Sequence, residues 1–242
     1  MGDKRDSENF ESYRPLPPNL EYLSDLAECQ TVFADREDAG RTLAGMLARQ
    51  ELVNPLLLAV PAGGVPVAVA AAQSLGWPLE VAVVSKILLP WNTEAGYGAL
   101  AWDGTLQLNK SMLAGLGLSA QQQAEGIART RAKVDARVQQ LMKPDGLADL
   151  SGRSAVLIDD GLASGFTLLT AVAALKKAAA ESILVAVPTG HIEAALRLAA
   201  EADRVLCANL RSRYPFAVAA AYRQWQDVSE DEVRKALARM ET

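Results

Sequence analysis

The chemistry of this chain concentrates where Ala155-Val156-Leu157-Ile158 runs straight into Asp159-Asp160, followed by Gly161-Leu162-Ala163-Ser164-Gly165-Phe166-Thr167. Four apolar residues end at two adjacent carboxylates, a small-residue loop follows, and a helix starts behind it. Backbone N–H groups of Ala163, Ser164, Gly165, Phe166 and Thr167, gathered at a helix N-terminus, make a natural cradle for a phosphate. Ser164 and Thr167 can add hydroxyl donors. Asp159 and Asp160 would repel that phosphate at contact and are better placed to accept hydrogen bonds from a vicinal diol. A phosphate at one end and a diol at the other describe a ribose 5-phosphate. The blander alternative is that the pair only ends a strand and caps a turn. It fits less well with a strand directly before the pair and a Ser-Gly-x-Thr helix start directly behind. Neither a Walker-type phosphate loop nor a GxGxxG fingerprint is present, so nucleoside-triphosphatase and dinucleotide readings are poor.

The surrounding pattern alternates strands with helices. A helix is expected over 36–50, stopped by Asn54-Pro55, and the apolar run 56–60 reads as a strand buried on both faces. Pro61-Ala62-Gly63-Gly64-Val65-Pro66 then leads into a helix over 67–75, and a second strand is expected over 79–84. The segment 87–98, with Pro90, Asn92 and two glycines, looks like a mobile loop, and 99–108 a hairpin around Asp103-Gly104. Ser119 and Gln122 form a capping box opening a long helix to about residue 142, with Ile127, Val134, Val138 and Leu141 at seam spacing. Further strands are expected over 155–158, 182–187 and 204–208, with helices over 167–179 and 192–200. A last capping box, Ser229 with Glu232, opens a terminal helix to about residue 240.

The expected fold is therefore α/β: a mostly parallel, Rossmann-like sheet with helices on both faces, plus a mobile loop or hairpin and a long extra helix. Such sheets bind ligands beyond the carboxyl ends of their strands, where the Asp159-Asp160 loop lies. Residues 1–30, with Pro15-Leu16-Pro17-Pro18, read as an N-terminal arm, flexible or wrapped on a neighbouring surface, and 31–242 as the domain.

Composition narrows the function classes. The chain has 242 residues, half of them hydrophobic and 22% charged, which suits a globule with a sizeable core rather than disorder. The net charge of −5 and the lack of a basic run argue against duplex nucleic acid or an anionic membrane as the main partner. Cys29, Cys207 and the single His191 exclude a histidine-rich metal site and a disulfide framework. The charged start lacks a signal-peptide core and no apolar run reaches the roughly 18 residues of a membrane span, so a cytoplasmic location is expected.

The segment 155–167 resembles the phosphoribosyl-pyrophosphate motif of the type I phosphoribosyltransferases. The resemblance extends to Phe33-Ala34-Asp35-Arg36 with Ala39-Gly40, to Gly63-Gly64-Val65-Pro66-Val67-Ala68, and to Lys86, Asn92, Glu94, Gly98-Ala99 and Asn109. The closing Val228-Ser229-x-x-Glu232-Val233 belongs with them. Together these residues look like a poorly characterised bacterial branch of the family, over roughly 33–240.

The resemblance implies transfer of ribose 5-phosphate from phosphoribosyl pyrophosphate to an unidentified nitrogenous acceptor. Asp159 and Asp160 would be the catalytic pair, binding the ribose hydroxyls and stabilising positive charge on the ring as pyrophosphate leaves. Ala163, Ser164, Gly165, Phe166 and Thr167 would hold the 5-phosphate. Ala62, Gly63, Gly64 and Lys86 would lie against the pyrophosphate. Magnesium would be carried by ligand oxygens near Asp159 and Asp160, with no direct protein cage. The loop 87–98 would close over the reaction centre and exclude water. Implied partners are phosphoribosyl pyrophosphate or a nucleotide, a small-molecule acceptor and a second copy of the chain in a homodimer.

Two positions depart from the branch. Ala62 and Ser85 stand where arginines facing pyrophosphate are usual. A charge-assisted hydrogen bond is worth about 1.5–3 kcal/mol, so the pyrophosphate side is expected to be weakened. Those two residues favour a second reading, a non-catalytic sensor or regulator that binds phosphoribosyl compounds or nucleotides. The intact Asp159-Asp160 motif and Lys86 favour the transferase. Hypoxanthine-type relatives carry an aspartate at the position of Ala163, so 6-oxopurines are not the expected acceptors. An α/β hydrolase would need a nucleophile elbow, which is missing.

Other residues are less specific. His191 is expected as a surface residue at a helix start, or at a base. Trp91 and Tyr97 would stack on a base or pack the closed loop, and Arg211, Arg213, Tyr214 and Phe216 would form a base wall or a polar loop. The seam of the long helix would contact its own domain or a second subunit. Cys29 and Cys207 are expected to be inert.

Overall fold

The computed structural model describes residues 15–240, apart from the side chains of Thr93 and Glu94. Six parallel strands form the main sheet: β1 (Leu20–Glu21), β2 (Leu56–Ala59), β3 (Leu79–Val81), β7 (Ser154–Ile158), β8 (Ser182–His191) and β9 (Arg204–Arg211), in the order β1-β9-β8-β7-β2-β3. Between β3 and β7 the chain leaves the sheet. It builds a three-stranded antiparallel hood from β4 (Val84–Leu89), β5 (Asn92–Ala101) and β6 (Leu106–Leu108). Helices α3 (Lys110–Leu116) and α4 (Ala120–Leu141) then carry it back.

Alternation along the buried strands decides which helix packs where. Leu56 and Leu58 of β2 point to the face covered by α5 (Phe166–Lys177) and α6 (Ile192–Ala199). Leu57 and Ala59 point to the face covered by α1 (Arg36–Leu47) and α2 (Gly64–Leu75). Strands buried on both sides need apolar residues at every position, which is why these runs lack a polar alternate. Helix α7 (Glu230–Ala238) closes the fold through its Ser229–Glu232 capping box, and Ser119 with Gln122 caps α4 in the same way.

The α/β architecture expected from the sequence is the one observed, with differences that have physical causes. Residues 15–30, expected as an arm, pack on the domain. Leu20 and Glu21 pair with Val205 and Leu206, and the Asn19 side chain donates to the carbonyls of Ala199 and Ala202 that end α6. Residues 1–14 lie outside the described residues. The expected strand over 79–84 splits, because β3 ends at Val81 in the main sheet and β4 begins at Val84 in the hood. The segment 87–98, expected as a mobile loop, is the antiparallel β4–β5 hairpin, with register shifts after Ile87 and after Leu88. The seam of α4 packs Val134, Val138 and Leu141 against Val81, Val83 and Leu100 of its own domain, and so does not call for a second subunit. No helix among the described residues is long and apolar enough to cross a membrane.

The Ala39-Gly40 step in α1 has a packing explanation. A Cβ on Gly40 would collide with the Val67 carbonyl oxygen and sit 2.7 Å from the Ala70 Cβ of α2. Gly45 on the same helix has nothing within 4 Å. Gly40→Ala should therefore cost about 1–3 kcal/mol by forcing the helices apart. Gly45→Ala should be neutral or stabilising, by up to about 1 kcal/mol. Thermal melts of the two variants check this; equal shifts would show that the α1–α2 approach is not tight.

Candidate functional site

The parallel sheet reverses its direction of growth between β2 and β7. Connections leave β2 toward β3 on one side and β7 toward β8 on the other, so the loops after β2 and β7 flank a crevice. A cleft of about 500 Å³ lies there. Its floor is Val60 to Gly63 and Asp159 to Gly165, with Thr167 beyond them. Its walls come from Ser85 and Lys86 of β4, Lys133 and Arg137 of α4, residues 217–219 and Trp225.

The structure thus brings Ala62, Gly63, Lys86, Asp159, Asp160, Ala163, Ser164, Gly165 and Thr167 together in one cleft. Gly64 and Phe166 do not line it. Gly64 opens α2 behind the loop and Phe166 is the first residue of α5. A larger groove of about 980 Å³ runs along β3 and the C-terminal end of α4. It holds the Lys143–Glu80 ion pair but none of the expected phosphoribosyl-site residues.

The two loops meet very closely. A Cβ on Gly63 would fall within the Asp160 carboxylate, and one on Gly64 would sit 2.6 Å from the Ile158 carbonyl oxygen and 2.9 Å from Asp159 Cα. Only glycines let the β2 loop, whose Pro61–Ala62 peptide is cis, lie against the acidic pair.

Each carboxylate has a different environment. Asp160 Oδ2 receives Arg36 Nε at 2.9 Å and Nη2 at 2.8 Å, with both side chains largely buried. The Arg36 guanidinium also donates to the Gln226 carbonyl and stacks 3.9 Å from the Trp225 ring centroid. The Tyr222 hydroxyl donates to the Asp160 carbonyl at 2.6 Å, and burial beside Asp160 pushes its proton affinity up. Asp160 is therefore structural as well as cleft-facing, since removing one partner of a buried pair costs about 3–5 kcal/mol. Asp159 Oδ1 accepts from the Asp160 N–H at 2.8 Å. Burial, and next the adjacent Asp160 charge, raise the Asp159 carboxyl well above the usual carboxylate range, while Lys86 opposes the shift.

At the other end of the cleft, Gly165 turns the chain with φ of +78° into α5. The first hydrogen bond back into this turn runs from Leu169 N–H to the Gly165 carbonyl. The N–H groups of residues 163–167 have no backbone acceptor, and the Ser164 and Thr167 hydroxyls have no partner among the described residues.

The remaining expectations resolve by packing. Tyr97 is fully buried in the hood and its hydroxyl donates to the Gln123 carbonyl, so it packs the hairpin on α4. Trp91 is 61% exposed at the hairpin tip. His191, expected at the surface, is buried at the end of β8. Its Nδ1 caps α6 at Glu193, and Tyr214 and Phe216 cover its ring. Arg211 is buried under Phe216. Cys29 is exposed; Cys207 is buried, and burial pushes its thiol proton affinity up, away from reactivity. Asn109 caps α3 through Met112 N–H, and the Glu94 side chain lies outside the described ones. Sequence reasoning missed Trp225, which lines the cleft from far along the chain, Tyr222, which holds the Asp160 carbonyl, and Lys133 with Arg137. The last two were visible only as an i, i+4 basic pair on a polar helix face, where a solvated surface is the usual outcome.

Comparison with known proteins agrees with this geometry. A model described as "Phosphoribosyl transferase domain" matches residues 106–224. The chain is 36% identical over 202 residues to a protein of Mycobacterium tuberculosis H37Rv named "Putative phosphoribosyl transferase Rv0571c", and equally to its counterpart MT0597 in strain CDC 1551. Those matches take in 84% of this chain and 45% of each relative, so the chain spans about half the length of the curated relatives it matches. The crystal structure of TT1426 from Thermus thermophilus is 33% identical, with a TM-score of 0.66, covering 86% of this chain and 98% of that one. The chain belongs to the type I phosphoribosyltransferase family.

The buried Asp159 makes a checkable pH dependence. An unfolded aspartate releases its proton near pH 3.9, whereas the folded chain holds it to higher pH. Between those limits the folded state binds more protons, so stability falls as pH rises through that window. Asp159→Asn removes this loss while keeping an oxygen acceptor for Asp160 N–H. The variant should melt above the parent at pH 7, with the gain shrinking on acidification toward pH 4. A gain constant from pH 4 to 8 would sink the burial account.

Proposed function

We propose that the chain is a phosphoribosyltransferase, forming a C–N bond from ribose C1 to a nitrogenous acceptor as the C1–O bond to pyrophosphate breaks. One observation carries the reading: the Asp159-Asp160 pair and the unpartnered N–H groups and hydroxyls before α5 share one cleft at the sheet's switch point. The N–H groups of residues 163–167, with Ser164 and Thr167, hold the 5-phosphate. The free Asp160 Oδ1 and the Asp159 carboxyl accept from the ribose hydroxyls. Their negative charge stabilises the positive charge that develops on the ring. Ala62 and Gly63 bring backbone against the pyrophosphate, and Lys86 reaches it from β4. The β4–β5 hairpin excludes water from a ring carbon that would otherwise hydrolyse.

Magnesium is part of the proposal. Among the described residues no group of three or more His, Cys, Asp or Glu is placed to hold a metal, and Asp160 is shared with Arg36. Such a sparse oxygen donor set fits an ion carried mainly by diphosphate and diol oxygens with retained waters. Bound there, the ion would neutralise charge on the departing diphosphate.

The second reading, a non-catalytic binder, is favoured by the hold of Arg36 on Asp160 Oδ2, which leaves one oxygen of that carboxylate for a ligand. Pyrophosphate release in the presence of nitrogenous acceptors separates the two readings.

Calorimetric titration with phosphoribosyl pyrophosphate and ribose 5-phosphate, with and without magnesium, tests the site. Ser164→Ala combined with Thr167→Val should weaken both ligands alike, by tenfold or more, since each lost bond to a charged phosphate is worth about 1.5–3 kcal/mol. Unchanged binding of both ligands by this variant would remove the phosphate cradle from the account.

A further inference from the structure

We infer that Lys133 and Arg137 of α4 form the cationic wall of a diphosphate subsite, supplying from the extra helix the positive charge that the loops at Ala62 and Ser85 lack. This inference rests on the proposed function and extends it to residues outside the phosphoribosyl motif.

The two side chains sit one turn apart, so they share a helix face. Val134 beside them is buried against the hood and fixes how α4 turns. Both line the cleft that contains Ala62, Gly63, Ser85 and Lys86.

Two of the cations in this cleft have no hydrogen-bonded acceptor, although Glu230 Oε2 is itself buried without a donor. Lys86 and Lys133 make no hydrogen bond or ion pair among the described residues. Arg137 pairs with Glu230, donating through Nε at 2.7 Å and also through Nη2 to the same oxygen, Oε1. Ser85 is 4% exposed, and its hydroxyl is buried without a hydrogen-bond partner. A buried hydroxyl left unpaired is costly and calls for an acceptor. Burial, and then the neighbouring Arg137 charge, lower the Lys133 proton affinity, with Glu230 only partly opposing. Lys86, Lys133 and Arg137 thus line one cleft, Lys86 from the face of β4 opposite to Ser85, and Arg137 already donates to Glu230. A multiply charged oxyanion would give Lys86 and Lys133 a hydrogen-bonding acceptor.

The cleft also draws its anion-facing groups from two different elements. The α5 N-terminus with Ser164 and Thr167 takes one phosphate, and Asp159 and Asp160 line the same cleft as the ribose-facing groups. A ligand with phosphates at both ends of a ribose fits this arrangement, whereas ribose 5-phosphate leaves the α4 wall unused.

The test is titration of the full chain with inorganic pyrophosphate, ribose 5-phosphate and phosphoribosyl pyrophosphate at low and moderate salt. Lys133 makes no hydrogen bond or ion pair among the described residues, so Lys133→Ala should fold as the parent does. It should weaken pyrophosphate and phosphoribosyl pyrophosphate at least tenfold, leave ribose 5-phosphate within twofold, and flatten the salt dependence. Lys133→Ala with Arg137→Gln should deepen the loss; if that variant melts early through loss of the Glu230 pair, the single variant still decides. Equal loss for all three ligands, no loss for any, or no pyrophosphate binding by the parent overturns the inference. Lys133-dependent pyrophosphate binding by a parent that ignores both ribose ligands supports the wall and overturns the proposed function. Tight binding of both ribose ligands with no effect of Lys133→Ala does the reverse.

Discussion

The buried contact between Arg36 and Asp160 ties together three parts of the chain that are far apart in sequence. Arg36 begins α1, Asp160 follows the central strand β7, and Trp225, on which the guanidinium stacks, precedes α7. A carboxylate at the end of a strand buried on both faces must be neutralised or hydrogen-bonded, and here a fixed guanidinium does so. The neighbouring parts follow. Asp35 caps α1 by accepting from Asp38 N–H, and Phe33 bridges to Tyr222, whose hydroxyl holds the Asp160 carbonyl. The motif Phe33-Ala34-Asp35-Arg36 is thus a bracket that sets the position of the acidic pair rather than a ligand-binding segment in its own right.

With Asp160 fixed, the second carboxylate carries the strain of its location. Asp159 is buried beside a like charge, with the Asp160 N–H and then Lys86 to relieve it. Two adjacent acids therefore differ in character because one has a guanidinium and the other does not. The cleft extends this asymmetry. The loop before α5 offers bare N–H groups, and β4 and α4 offer side-chain cations. Residues of the hood and of α4 line this cleft, so the antiparallel hairpin and the long helix belong to it as much as the central sheet does.

Much of this was legible in the sequence because it rests on local signals. Buried parallel strands are continuous apolar runs, both capping boxes occur where Ser119 and Ser229 place them, and the Asp159-Asp160 step from strand to helix is contiguous. What was not legible depends on the partner. An apolar run over 79–84 does not show that it crosses from one sheet to another. The residues of 87–98 read as loop because glycines and Asn92 break a strand in isolation. Yet a Cβ on Gly98 would run 2.8 Å from Leu108 Cδ2, so the glycine is there to admit the neighbouring strand. Likewise His191 looked like a surface residue until Tyr214 and Phe216 covered it. Lys133 and Arg137 sit on a mostly exposed helix face, and only the fold turns that face toward the cleft.

The close approach of Gly63 to Asp160 has a consequence for how sequences of this kind can diverge. The space for a side chain at position 63 is already occupied by the carboxylate at position 160. Any larger residue at 63 displaces Asp160, and a displaced Asp160 leaves the Arg36 guanidinium buried without its acceptor. A shorter residue at 160 would open room at 63 but strand the same guanidinium. The three positions are locked as a set: they can change together, in one lineage, or not at all.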